Sequence, residues 1–229
     1  MTIVRFTSPD TLYDVAGERF EVLAVESVRA RGRLTVALSG GQTPLHLYRR
    51  LAASDRVPWE SVHVFWSDER CVPPDHSASN YRAAREALLD TVPIPQDHVH
   101  RIEGESPPSD AAIAYEAEMQ RTLGKDSRLD LVLLGMGADG HTASLFPEHP
   151  ALSEDTRWVL PVEVSAEPSR RITLTLPAIN AARDIFVLVV GSAKVDALAR
   201  IEAGESLPAG HVRPTDGRLT WFVSVNEEA

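Results

Sequence analysis

Cysteine is nearly missing from this chain: its 229 residues hold one, Cys71. No intrachain disulfide can form, and a reducing, cytoplasmic setting is expected. Long apolar runs are missing too; no stretch of about 18 apolar residues occurs, which argues against a membrane-spanning helix. The opening MTIVRFTSPD lacks the basic-then-apolar pattern of a secretion signal. Positive charge is scarce, since 23 Lys and Arg against 33 Asp and Glu leave a formal net charge of -10. That balance disfavours nucleic acid or an anionic membrane as partner. A small anionic substrate remains compatible with it, because a few backbone N–H groups and one or two cations suffice to hold a phosphate. Neither repeats nor low-complexity segments divide the chain, so one domain over residues 1–229 is expected, as a monomer or small homo-oligomer.

Several chemistries lack their motifs. There is no G-x-S-x-G elbow for a serine nucleophile. There is no phosphate loop of the G-x-x-x-x-G-K-[ST] type; the only Gly-Lys pair, Gly124-Lys125, precedes Asp126. H-E-x-x-H is absent, and His98-x-His100 lies in a proline-flanked stretch without further ligands nearby, so neither metal nor cofactor is expected. Cys71 reads as a buried, inert thiol.

What is present is an alternation of strand-like and helix-like runs. Ser8-Pro9 is a cap and first helical turn, followed by Leu12, Ala16, Phe20 and Leu23 at near-helical spacing. Continuous apolar runs at 34–38, 62–66, 129–134 and 185–190 read as strands buried on both faces. Further strands are expected at 158–164, 172–176 and 219–225; Thr43-Pro44 reads as the cap and first turn of a helix through Leu51, and further helices are expected from about Ser79 to Leu89 and from near Ser109. The sum is an α/β chain with a mostly parallel, Rossmann-like sheet and helices on both faces.

In such sheets ligands bind beyond the carboxyl ends of the strands, and four predicted strand ends carry unusual residues. Ser39-Gly40-Gly41-Gln42-Thr43-Pro44 offers glycines and a helix amino terminus, a phosphate cradle or simply a tight turn. Gly191-Ser192-Ala193-Lys194 puts a cation in a first helical turn, where a bound anion would relieve the conflict with the dipole; a solvated lysine is the plain alternative. Asp68-Glu69-Arg70 combines two carboxylates with a guanidinium, either a recognition cluster or a surface ion-pair group. Gly135-Met136-Gly137-Ala138-Asp139-Gly140-His141 contains the letters of a dinucleotide fingerprint, yet Pro147 and Pro150 interrupt the helix that should follow. Asp139-x-His141 reads better as a base with an acidic neighbour.

Taken together the stretches LSGGQTPLHLY (38–48), WSDERCVPPDHSASNY (66–81), LDLVLLGMGADGHTASLFPEH (129–149), RRITLTLPAINAARDIFVLVVG (170–191) and SAKVDAL (192–198) resemble the 6-phosphogluconolactonase family, within the group that includes the glucosamine-6-phosphate deaminases. Asp68-Glu69-Arg70 and Gly140-His141-Thr142 fit the lactonase branch better than the D-E-Y and G-H-I-A-F-N-E-P of the deaminases. The resemblance implies hydrolysis of 6-phospho-D-glucono-1,5-lactone by water, with His141 as general base and Asp139 or Asp68 orienting it. It implies phosphate ligands at Ser39, Gly40, Gly41, Thr43, Arg171 (or its neighbour Arg170) and Lys194, with Arg70 and Asn80 on the sugar or its carbonyl. Rival expectations are amino-sugar phosphate deamination, pentose-phosphate isomerisation and a non-catalytic sugar-phosphate-binding regulator.

Overall fold

The computed structural model describes residues 2–226. Six parallel strands form the main sheet: β1 (Thr2–Arg5), β2 (Leu34–Leu38), β3 (Val62–Trp66), β5 (Leu131–Gly135), β8 (Asp184–Val190) and β9 (Arg218–Ser224). Their spatial order is β1-β9-β8-β5-β2-β3. The central strands are mostly apolar because both faces are covered; β2 and β8 are buried at every residue.

Helices α1 (Pro9–Arg31), α2 (Gln42–Ala52), α3 (Asn80–Ala84, continued as a π-helical turn over Arg85–Leu89), α4 (Pro108–Leu123), α5 (Leu176–Asn180) and α6 (Val195–Glu202) surround the sheets. Ser8 caps α1, its hydroxyl accepting from the Thr11 N–H, and Gly32 ends that helix in the left-handed conformation at φ 77°. One apolar cluster runs from Leu12 and Phe20 on α1 through the sheet to Tyr115 and Met119 on α4.

Three expectations need correction. The runs at 158–164 and 172–176 do not join the parallel sheet: β6 (Val159–Glu163) and β7 (Arg170–Leu174) pair antiparallel in a second, three-stranded sheet of order β4-β7-β6. Asp68-Glu69-Arg70, expected at the end of a main-sheet strand, is itself β4 (Asp68–Arg70) of the second sheet. Thr43 does not cap α2, which starts at Gln42, two residues before Pro44, with Gly41 at the cap position and no side-chain cap.

Candidate active site

The carboxyl ends of β2, β5 and β8 meet the second sheet around a cavity of about 210 Å³. It is lined by Ser39, Gly40, Gly41, Thr43, Asp68, Arg70, Asn80, His141, Arg171 and Lys194, with Gln42, Met136, Gly137 and Ala143 among the rest. Nearly all the residues singled out from the sequence therefore share one space; Asp139 stands just behind His141 rather than in the wall. Arg171 is in the wall and Arg170 is not.

The histidine loop is closed on itself. The Gly137 N–H donates to the His141 carbonyl at 2.9 Å and the Gly140 N–H to the Gly137 carbonyl at 3.0 Å. Asp139 Oδ1 lies 2.5 Å from His141 Nδ1 and accepts the His141 backbone N–H at 3.1 Å. Burial works to raise the Asp139 pKa, but these hydrogen bonds and the imidazole's charge outweigh it and hold the carboxyl below its ordinary range. With Nδ1 donating to Asp139, Nε2 is left as the accepting nitrogen. A methyl group on Gly137 would stand 2.1 Å from His141 Nδ1 and 2.6 Å from Asp139 Oδ1, so only glycine admits the pair there. The other face of the imidazole stacks on Phe146 at 4.2 Å, and the Arg171 guanidinium lies 5.5 Å from the same ring.

The hydrogen bonds of Asp68 go to Ser144 and Asn80, while that of His141 Nδ1 goes to Asp139. Asp68 Oδ2 accepts from Ser144 Oγ at 2.6 Å, while its Oδ1 and carbonyl face Asn80 Nδ2 at 3.3 and 2.9 Å. It ties the histidine loop to β4 and α3 and makes no hydrogen bond to the imidazole. Glu69 is structural: its carboxylate accepts the N–H groups of Arg70, Asn80 and Tyr81 and the Ser79 hydroxyl. Burial raises its pKa against those bonds. Asn80 in turn explains Gly40, where a Cβ would fall 1.9 Å from Asn80 Oδ1.

The anion-ready features are of three kinds. First, Arg70 and Arg171 are register partners of the β4–β7 ladder, and like charges directly opposite repel. Burial, then the nearby Arg70 charge, lowers the pKa of Arg171. Second, Ser39 Oγ and Arg70 Nε are buried without a hydrogen-bond partner, a cost that a polar ligand would remove. Third, α2 presents an uncapped amino terminus behind Gly41, whose φ of 96° suits glycine. Lys194, which caps α6, makes no ion pair among the described residues.

Sequence reasoning missed Tyr48, Phe146 and the structural duty of Gly137. The buried Tyr48 hydroxyl accepts the Ser39 N–H and donates to the Ser39 carbonyl, fixing the strand end. The G-x-G letters already pointed at Gly137, though for a close approach by the protein's own imidazole rather than by a nucleotide. Cys71 is half-buried and burial pushes its thiol pKa up, in keeping with an inert cysteine. Among the described residues no group of three or more His, Cys, Asp or Glu side chains is placed to hold a metal ion, and no helix is long and apolar enough to cross a membrane.

A parallel sheet whose carboxyl edge gathers glycine turns and a histidine–aspartate pair, closed by a small antiparallel sheet bearing two opposed guanidiniums, defines an α/β protein with a polar cavity at the strand ends. The chain belongs to the glucosamine-6-phosphate isomerase/6-phosphogluconolactonase family, whose model matches residues 7–221. It is 43% identical over 207 residues to a 6-phosphogluconolactonase of a Synechocystis species, covering 86% of this chain and 85% of the relative. It is 40% identical to the 6-phosphogluconolactonase of Mycobacterium tuberculosis over 217 residues, 89% and 88% of the two chains. A crystal structure of 6-phosphogluconolactonase from Thermotoga maritima superposes with a TM-score of 0.88 at 32% identity, covering 97% of this chain and 99% of that one.

Proposed function

We propose that the protein hydrolyses 6-phospho-D-glucono-1,5-lactone to 6-phosphogluconate, as a cytoplasmic enzyme of the oxidative pentose phosphate pathway. The reading needs neither metal nor covalent intermediate. The observation that carries it is the single cavity in which an imidazole backed by a carboxylate shares the walls with two opposed guanidiniums, a lysine and the uncapped amino terminus of α2. The names borne by relatives covering most of both chains point the same way.

A δ-lactone is an activated ester, so the demand on the protein is modest. Arg171, Lys194, the Ser39 hydroxyl and the N–H groups around Gly40, Gly41 and Thr43 hold the 6-phosphate. With the phosphate fixed, C1 stands by His141. His141 Nε2 takes a proton from water as its oxygen attacks the carbonyl, a contribution of roughly 10²–10⁴-fold. Fixing water and lactone together adds to this by converting an encounter into a step within one complex. Asp139 keeps Nδ1 protonated and stabilises the imidazolium that forms. The tetrahedral oxyanion accepts hydrogen bonds from Arg70, and the same imidazolium returns the proton to the ring oxygen as the C1–O bond breaks.

The direct test follows loss of the lactone, against its spontaneous rate, with and without the protein and with EDTA. Acceleration that survives EDTA is expected; a rate equal to background sinks the reading. Ammonia released from glucosamine 6-phosphate, or isomerised ribose 5-phosphate, would instead reveal the two rival chemistries.

A further inference from the structure

Phe146 is not part of the cavity wall, yet it stands against two residues that are. Its ring stacks on the His141 imidazole with centroids 4.2 Å apart and planes 19° from parallel. The Arg171 guanidinium lies 5.5 Å from the same ring. One aromatic side chain therefore serves both the group read as base and a group read as phosphate ligand.

The chain brings it there by a tight reversal. Thr142 and Leu145 form an antiparallel bridge, each donating its N–H to the other's carbonyl, at 3.3 and 2.9 Å. The next pair outward is His141 and Phe146, and beside such a doubly bonded pair the neighbouring side chains come closer together. Ala143 makes the turn in the left-handed region at φ 48°. Ser144 pins it, its hydroxyl donating to Asp68 at 2.6 Å and its N–H to Thr173 Oγ1 at 3.2 Å. Leu145 is fully buried. The stack is thus built into the loop.

The imidazole needs that support. A hydrogen bond to Asp139 fixes one ring atom and leaves the ring free to pivot about it, whereas a stacked plane removes the pivot. The His141 and Asp139 side chains are 30% and 48% exposed, and a pair so open to water holds its geometry weakly. Gly137 closes in on the Nδ1–Cε1 edge, so the phenyl plane is what sets the direction of Nε2. A phenyl face also attracts an imidazole more strongly once it is protonated, as it becomes when water attacks. An interaction that strengthens towards the transition state raises kcat and does not merely tighten binding. Arg171 benefits differently. It is buried opposite Arg70, and its own bonds go to the carbonyls of Pro168 and Ala166, so the ring face supplies part of a missing negative partner.

We propose that Phe146 is a positioning residue for lactone hydrolysis, its ring holding the plane of His141 and the guanidinium of Arg171 together so that seating the 6-phosphate brings C1 within reach of Nε2. This rests on the proposed function. Phe146→Leu keeps an apolar side chain and removes the face. It should lower kcat about tenfold for phosphorylated and unphosphorylated lactone alike, and raise KM about threefold for the phosphorylated one only. Phe146→Tyr, which keeps the face, should bring kcat back to within about threefold of the parent. A merely structural residue would change the amount of folded protein without that split.

A second measurement needs no substrate. In NMR spectra of the full chain, the imidazole C–H resonances of His141, assigned by their loss in His141→Gln, should lie upfield of those of the exposed His76 through the phenyl ring current. They should move back in Phe146→Leu, and the spectrum of the parent decides even if that variant does not fold. Parental kcat in Phe146→Leu, a KM that rises equally for both lactones, or His141 resonances without the upfield displacement would each overturn the assignment. If the parent gives only the spontaneous rate, the functional reading falls and this inference with it, whatever the spectra show.

Discussion

The two ends of the parallel sheet both concentrate arginine, and they dispose of its charge differently. At the amino end, Asp130 and Asp184 are interleaved with the cations, and most guanidiniums have a carboxylate within 4 Å. At the carboxyl end, Arg70 and Arg171 face each other across a ladder, and the buried acids beside them are engaged elsewhere: Asp68 with Ser144 and Asn80, Glu69 with Ser79 and backbone N–H groups. The lesson is that the number of arginines says little about anion affinity; what matters is whether the fold supplies their counter-ions. The carboxyl end withholds them and should bind tightly, whereas the amino end supplies most of them.

The comparison can be broken most severely at His141. Replacement by alanine should lower kcat about a hundredfold with substrate affinity nearly intact, read from steady-state kinetics. Turnover close to the parent would remove it as base. Gly137→Ala comes next: a methyl overlapping the imidazole should displace it and cost roughly ten- to a hundredfold in kcat without altering the charge of the cavity. Arg171→Ala and Lys194→Ala should each raise KM about tenfold for the phosphorylated lactone. Neither should change hydrolysis of the unphosphorylated lactone, and if both substrates suffer alike, the cations are not phosphate ligands.

The smallest effect is expected near the amino end, on stability rather than catalysis. His63 has a pKa lowered to about 4 by burial, and further by His98, His100 and Arg33, with Asp97 opposing. The unfolded chain takes up this proton near pH 6.5 and the folded one near 4, so stability is full above about 6.5 and declines as pH falls towards 4. A urea midpoint measured against pH should show that decline, and His63→Gln should flatten it. An unchanged slope would mean that other groups set the acid limit.

Much of this was legible in the sequence because the main-sheet strands are mostly apolar runs that end at small or turn-forming residues. β2 and β3 fall on the expected residues, and Ser8 and Pro9 fix the start of α1. The second sheet was not legible as such, since apolar content carries no strand direction. One signal was available: Pro161 lies inside β6, and proline is tolerated there because β6 is an edge strand. β4 has three polar residues and no hydrophobic signature at all. Within the candidate site, residue types and their gathering at strand ends could be read ahead, but hydrogen-bond partners could not. Which carboxylate backs His141 depends on two residues of local loop geometry for Asp139, and on a contact to Ser144, 76 positions away, for Asp68.

The cavity is a seam. His141, Lys194 and the Ser39–Thr43 turn hang from one hydrogen-bonded sheet, while Asp68, Arg70 and Arg171 belong to another. Ser67 already stitches them, its N–H donating to the Leu38 carbonyl and its carbonyl accepting from the Leu174 N–H, and a molecule gripped from both sides would add a further rivet. Slowed deuterium uptake by the amides of β4 and β7 would then be a label-free gauge of occupancy, usable even with ligands that are never turned over.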